Sequence, residues 1–77
     1  MDKNKLKDAV IVFLDDEIRM LKRCKHNPYL ADMPWNTQQK CSLDRGLGVV
    51  MFVQELGLEY EEVSKLYEDF KAEVENI

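Results

Sequence analysis

The side chains of this chain best suited to metal binding are two cysteines and one histidine. Cys24, His26 and Cys41 supply two thiols and one imidazole, which are common ligands of structural zinc. Such a site needs four ligands and closely spaced pairs such as C-x2-C, and Cys24-x-His26 is not a pair of that kind. Only Asp32 and Asp44 stand nearby as a fourth ligand. We therefore predict that the chain binds no metal and no cofactor.

The same residues fit thiol catalysis poorly. A catalytic cysteine needs an imidazole within hydrogen-bond reach and a third group that orients it. Cys24 and His26 are two positions apart, so on a continuous helix their side chains point in different directions. The chain has no glycine-rich phosphate loop. We predict that it is not an enzyme and that both cysteines are reduced, buried apolar residues, with a disulfide or redox role as the alternative.

Acidic residues are concentrated near the C-terminus. Residues 59–77 hold seven acids and two lysines, a net charge of −5, whereas residues 1–58 have a net charge of +1. Nonspecific nucleic-acid binding needs a positive surface and is not expected, whereas a basic protein surface would be complementary. The alternative is a solvated helix exterior. The residues that we expect to contact a partner protein are Glu61, Glu62, Glu68 and Asp69.

The elements that carry these residues are predicted to be helices, and the fold class is all-α. Apolar residues recur at helical spacing in three segments, which gives a long first helix followed by a helical hairpin through Gly57. Asn27 and Pro28 are expected to end the first helix. The predicted helices run from Lys3 to Lys25, from a start at Asn36, Thr37 or Ser42 to Leu56, and from Glu59 to about Glu75.

An irregular loop is predicted over residues 26–36, because two prolines there exclude regular structure. Its four large apolar side chains are expected to fold back over the core. Trp35, the only tryptophan, is also a candidate binding hot spot. The four residues are Tyr29, Leu30, Met33 and Trp35.

The centre of the second helix, residues 47–53, is apolar on every side. A helix of this kind must be buried all round, whereas a three-helix monomer normally leaves each helix one solvated face. We therefore predict a homodimer. Gly46 and Gly48 are expected either to admit another helix closely or to mark a kink. The expected dimer interface consists of Val49, Phe52, Val53 and Leu56.

Residues 49–66 resemble the skeleton of a helix-turn-helix, with Leu56, Gly57 and Leu58 at the turn and apolar residues following at the buried positions. The resemblance covers about a quarter of the chain and implies a DNA-binding transcriptional regulator. In that motif the start of the second helix enters the major groove. Residues 59–62 hold three glutamates, which phosphates would repel. DNA binding by basic residues of the first helix is therefore kept only as the alternative function.

One carboxylate falls inside the apolar face of the first helix. Glu17 lies three and four residues from Phe13, Leu14, Met20 and Leu21. A buried carboxylate is costly unless it is paired or hydrogen-bonded. We expect Glu17 to lie at the helix edge or to accept a bond from a loop amide. The alternative is that it specifies a helix pairing or a ligand contact.

The length of 77 residues corresponds to a single helical domain, residues 1–77. No run approaches the ~20 apolar residues of a membrane span, and the N-terminal apolar cluster is too short and polar for a signal peptide. We expect a cytoplasmic protein that does not contact a membrane. In size and style the chain is similar to small accessory proteins carried by phages and other mobile elements. The predicted function is a small acidic protein–protein interaction module, acting as a regulator or inhibitor.

Overall fold

Three helices account for most of the chain. The computed structural model describes residues 2–27 and 33–77. Across those residues there is no strand, so the all-α prediction is confirmed. The first and third helices lie within one residue of their expected bounds. The helices are α1 (Lys3–His26), α2 (Trp35–Glu55) and α3 (Tyr60–Glu75).

The helices pack side by side in an up-down-up bundle about 40 Å long and 17 Å wide. Near one end, the Lys3 ammonium lies 3.2 Å from the carboxylate of Glu59, just before α3. Near the other end, Lys25 donates a hydrogen bond to the carbonyl of Ile77. α1 and α3 are therefore parallel, and α2 runs antiparallel to both.

The first helix forms because its apolar residues recur every three or four positions. Asp2 caps it, since its side chain accepts a hydrogen bond from the amide of Asn4 at 2.9 Å. Basic residues in its last turn complement the negative end of the helix dipole. The core residues that α1 contributes are Leu6, Val10, Leu14, Ile18 and Leu21.

A Schellman motif joins α2 to α3. Gly57 has a φ of 121°, which a residue with a side chain rarely adopts. The Gly57 amide donates to the carbonyl of Gln54, and the Leu58 amide donates to the carbonyl of Val53, both at 3.1 Å. Leu58 and Val53 are both buried, which supplies the apolar contact typical of this motif. The motif reverses the chain into a hairpin.

The hairpin is antiparallel along its length. The Gln39 side chain near the start of α2 donates to the carbonyl of Val74 near the end of α3 at 3.0 Å. Between that bond and the turn, Gly46 lies against the ring of Phe70. The two helices of a helix-turn-helix cross at about 90–120°. Residues 49–66 thus share the local sequence pattern of that motif and its tight turn, but not its crossing geometry.

The two glycines of α2 have different roles. A Cβ at Gly46 would lie only 2.9 Å from Cδ2 of Phe70, with other ring atoms also in range, whereas a Cβ at Gly48 would meet nothing within 4 Å. Gly46 is therefore needed for close approach of α2 and α3 within one chain. Gly48 faces open space.

The tryptophan is the first residue of α2 rather than part of a loop. Trp35 is half-buried, packs against the core, and lies with its ring 5.5 Å from the ammonium of Lys25. Met33 is 47% exposed, so the expectation that it closes the core is wrong. Tyr29 and Leu30, which were expected to do the same, fall outside the described residues.

Candidate functional site

The four acidic residues expected to contact a partner lie on two sides of α3. Glu61, Glu68 and Asp69 are exposed, and Glu62 is half-buried. At 100° per residue, Glu61 and Glu68 point almost opposite to the buried Phe70, whereas Glu62 and Asp69 are turned toward α1. The structure therefore separates an outward pair from a flanking pair.

The flanking side of α3 borders a cleft of about 220 Å³ between α1 and α3. Its floor is apolar and its rim is acidic. No residue of α2 lines the cleft, so it lies on the side of the bundle away from α2. The floor consists of Ile11, Leu14, Ile18, Leu66 and Phe70, and the rim consists of Asp15, Asp69 and Glu73.

The three rim carboxylates have no charged partner. Asp15, Asp69 and Glu73 take part in no ion pair or hydrogen bond of their side chains within residues 2–27 and 33–77. Asp15 and Glu73 were not among the residues predicted to contact a partner. The signal in the sequence was the position of Asp15, one residue after Leu14 and four after Ile11, on the edge of an apolar stripe.

Glu17, in contrast, is paired on the opposite side of α1. Its side chain is only 12% exposed. Nε of Arg45 donates to one carboxylate oxygen at 2.6 Å, and Nη2 of Arg45 and the hydroxyl of Ser42 donate to the other at 3.0 and 2.8 Å. Glu17 thus joins α1 to α2, which corrects the expectation that it lies at a helix edge or accepts from a loop amide. Ser42 is fully buried inside α2 and is not an N-cap.

These bonds set the charge state of the pair. Burial by itself would raise the pKa of Glu17, but hydrogen bonds from Arg45 and Ser42, together with the charge of Arg45, hold that pKa below its ordinary value. The hydrogen bond to Glu17 in turn raises the pKa of Arg45. Both groups are therefore charged at neutral pH and bonded to each other, which indicates a structural role.

The outer face of α2 carries exposed apolar residues on two flanks, with the exposed acids Asp44 and Glu55 between them. Residues 46–54 contain no ionisable side chain. Two pairs of apolar residues at four-residue spacing are exposed on this helix, and Phe52 is the most exposed of them at 63%. The pairs are Leu47 with Met51 and Phe52 with Leu56.

Only two of the four residues expected in the dimer interface are exposed. Phe52 and Leu56 lie on the exposed face, whereas Val53 is 5% exposed and Val49 is packed against the core of its own chain. Val53 and Val49 therefore face inward, because α2 turns one side to α1 and α3. Leu47 and Met51 were not predicted, although their spacing of four was visible in the sequence.

The cysteines are not assembled into a site. Cys24 and Cys41 are both free thiols and both half-buried, and His26 is exposed. Within the described part of the chain no three His, Cys, Asp or Glu side chains are grouped so that they could hold a metal ion. Asp32, one of the two acids considered as a further ligand, is outside the described residues.

No protein-family model, curated protein or solved structure matches this chain. Among the described residues, no helix has both the length and the apolar character required to cross a bilayer. The surfaces that remain as functional candidates are the acidic side of α3 with its cleft and the outer face of α2 with its exposed apolar residues.

Proposed function

We propose that the chain is a small acidic interaction module that binds a cytoplasmic partner protein and acts as its regulator or inhibitor. The observation that carries this proposal is the set of unpaired carboxylates on α3. Glu61, Glu62, Glu68 and Asp69 have no ion-pair partner within the described residues. Their charge is available to a basic surface on another protein.

Charge complementarity is the physical basis of the proposal. Like charges on one helix repel one another and weaken the folded state, and a basic partner removes that repulsion on binding. Opposite potentials also speed association and suppress wrong partners. An array of carboxylates on a rigid helix can occupy a basic groove in place of the phosphates of a nucleic acid, which is one way in which a small protein can inhibit a larger one.

We further propose that two copies associate through the outer face of α2. Four exposed apolar side chains, three of them within the uncharged residues 46–54, give a surface that is compatible with its own copy, whereas α3 would repel its copy. Phe52→Asp should convert a dimer to a monomer in sedimentation equilibrium. Lys40→Asp, an exposed change near the other end of α2, is the control. A wild-type chain that sediments as a monomer at high micromolar concentration would refute the dimer.

The partner proposal is tested by affinity capture. The tagged chain is incubated with nuclease-treated lysate of its native host, and bound proteins are identified by mass spectrometry. One stoichiometric protein should bind the wild-type chain and be lost from the surface variant. A control variant, which neutralises as many exposed acids elsewhere, should retain it. The surface variant carries Glu61→Gln, Glu62→Gln, Glu68→Gln and Asp69→Asn, and the control carries Asp8→Asn, Asp16→Asn, Asp44→Asn and Glu55→Gln.

The alternative is a DNA-binding regulator, and the observation that favours it is the exposure of several bases on α1. The exposed bases are Lys3, Lys5, Lys22, Arg23 and Lys25. Retention on duplex DNA at low salt would support this alternative. Co-purification of DNA without nuclease, together with no protein partner, would overturn the interaction proposal. Glu61→Lys with Glu62→Lys should abolish partner binding but leave DNA binding intact or stronger.

A further inference from the structure

We propose that the cleft between α1 and α3 is the docking site for a basic amphipathic helix of the partner protein. Apolar side chains of that helix would lie on the cleft floor, and its lysines or arginines would pair with Asp15, Asp69 and Glu73. The inference rests on the proposed interaction function and deepens it, since it names both the site and the kind of segment that binds there.

The shape of the cleft favours a helix as the occupant. α1 and α3 are parallel neighbours, and α2 already packs antiparallel between them on one side of the bundle. The cleft is the corresponding groove on the other side, with no α2 residue in its lining. A groove between two helices accepts the apolar face of a third, which is a common way of recognising an amphipathic segment.

The floor of the cleft offers apolar surface to such a helix. Ile11 is 37% exposed and Leu66 is half-buried, and both line the cleft together with Phe70. Leu66 packs against the core of the bundle, and the other floor residues Leu14, Ile18 and Phe70 belong to that core. Covering them removes apolar surface from water, which provides the favourable free energy of docking.

The rim of the cleft determines the charge of the occupant. Asp15 projects from α1, and Asp69 and Glu73 project from α3 at i,i+4 spacing, so the cleft is bordered by carboxylates on both sides. None of them is neutralised within the described residues. Three unpaired carboxylates around an apolar floor are complementary to an apolar stripe flanked by cations.

The charge pattern also limits where the cations of the partner can lie. Lys7 and Lys22 are placed one turn before Ile11 and one turn after Ile18 on α1. On the α1 side, the negative region thus lies between these two lysines. A partner helix should therefore carry its basic residues within about two turns of one another.

The probe for this site is a labelled peptide of about 15 residues, long enough to form a helix on binding. It has leucines along one helical face and lysines on either side, and a scrambled peptide of identical composition lacks that face. Binding is followed by fluorescence anisotropy at low salt. The docking site is mapped by amide chemical shifts of the isotope-labelled protein, and circular dichroism verifies that each variant folds.

Two triple variants remove the same charge from different places. The cleft variant carries Asp15→Asn, Asp69→Asn and Glu73→Gln, and the outer variant carries Glu61→Gln, Glu68→Gln and Glu75→Gln. We expect the cleft variant to weaken binding about tenfold and the outer variant less than about threefold, since a direct ion pair contributes more than a distant charge.

A second pair of variants tests the floor without changing charge. Ile11→Ser removes an apolar contact from the cleft, whereas Val12→Ser alters a neighbouring, more exposed apolar residue that is absent from the cleft lining. We expect Ile11→Ser to weaken binding about fivefold and Val12→Ser to leave it unchanged. The largest amide shifts should fall in residues 11–18 and 66–73.

Several results would overturn the docking site. Equal losses in the two triple variants would show attraction by overall charge alone and would leave the interaction function intact. Shifts confined to α2, or no binding of the peptide at low salt, would place the occupant elsewhere. A cleft variant with an altered oligomeric state would mean that a second copy fills the cleft. The interaction function itself is tested by the affinity capture, in which the absence of any captured protein would refute it.

Discussion

Carboxylates on the two sides of α1 differ in whether they are paired within the chain. Toward α2, Glu17 is nearly buried and accepts three hydrogen bonds from Ser42 and Arg45. Toward α3, Asp15 borders an open cleft with two further acids and pairs with nothing in the described residues. The carboxylate on the first side is paired within the chain, whereas the carboxylates on the second side have no partner among the described residues.

The contacts that α2 makes with its neighbours also differ from the contacts between α1 and α3 beside the cleft. The hydrogen bond from Ser42 to Glu17 joins α2 to α1. Gly46 of α2 packs against the ring of Phe70 of α3. Between α1 and α3 the described residues place ion and hydrogen-bond contacts only near the two ends. Polar contacts along the middle of the bundle therefore join α2 to its neighbours, whereas the acidic rim of the cleft makes none among the described residues.

The largest expected effect is a difference between the two glycines of α2. Gly46→Ala forces the Phe70 ring to move and should lower the free energy of unfolding by about 2 kcal/mol. Gly48→Ala meets open space and should raise it by up to about 1 kcal/mol through helix propensity. Urea denaturation of both variants measures the contrast. Equal effects would contradict the close approach of α2 and α3.

Neighbouring carboxylates of α1 provide the next comparison. Glu17→Ala leaves the buried hydroxyl of Ser42 without its acceptor and Arg45 without its partner, and should lower the free energy of unfolding by about 2 kcal/mol. Asp15→Ala should change it by less than about 0.5 kcal/mol, because the Asp15 side chain makes no bond to any described residue. Thermal denaturation measures both variants. Similar losses of stability would show that Glu17 and Asp15 do not differ in their contribution to the fold.

A pH series tests whether Glu17 stabilises the fold as an ionised carboxylate. Because the pKa of Glu17 is lower in the folded chain than in the unfolded chain, the paired carboxylate stabilises the fold above the unfolded value of about 4.3. That contribution is lost as the pH falls through the folded value. The stability difference between the wild-type chain and Glu17→Gln should therefore shrink as the pH falls from neutral through the unfolded pKa to the lower folded pKa. Arg45→Gln should reduce the acid sensitivity in the same way, and a difference that stays constant with pH would count against the pairing.

The smallest effect is expected when the cleft acids are neutralised in the absence of a partner. Asp15→Asn, Asp69→Asn and Glu73→Gln together should leave the free energy of unfolding within about 0.5 kcal/mol of wild type, since no internal bond is removed. Chemical denaturation measures this, and the outer triple variant serves as the control. A large loss would show that these carboxylates stabilise the fold and would weaken their assignment to a partner.

Much of the fold could be predicted because helix formation is governed by local spacing. The periodic apolar residues of α1 and α3 gave their limits to within one residue, and Gly57 marked the turn. Residues 49–66 were less informative, because any tight hairpin needs a glycine flanked by apolar residues. The turn pattern leaves the angle between the helices open, and here contacts such as Gly46 with Phe70 make it antiparallel.

The candidate site was predicted only in part. Asp69 was recognised from the charge of α3, and Glu73 lies one turn further along the same helix, but Asp15 joins them only because α1 and α3 are neighbours. The exposed face of α2 was expected, yet two of its four assigned residues lie inside. A segment that is apolar all round does not show which of its sides meets the core.

The amino-acid sequence was sufficient to predict the helical class, the limits of α1 and α3, and the concentration of acid in the last helix. These properties depend on residue spacing and composition, which act within a few turns of chain. Only the tertiary structure decided that Glu17 is neutralised by Arg45 while Asp15 is not, and that Gly46 is confined while Gly48 is free. Those outcomes depend on which helix lies beside each face, and that is settled by packing between residues distant in the chain.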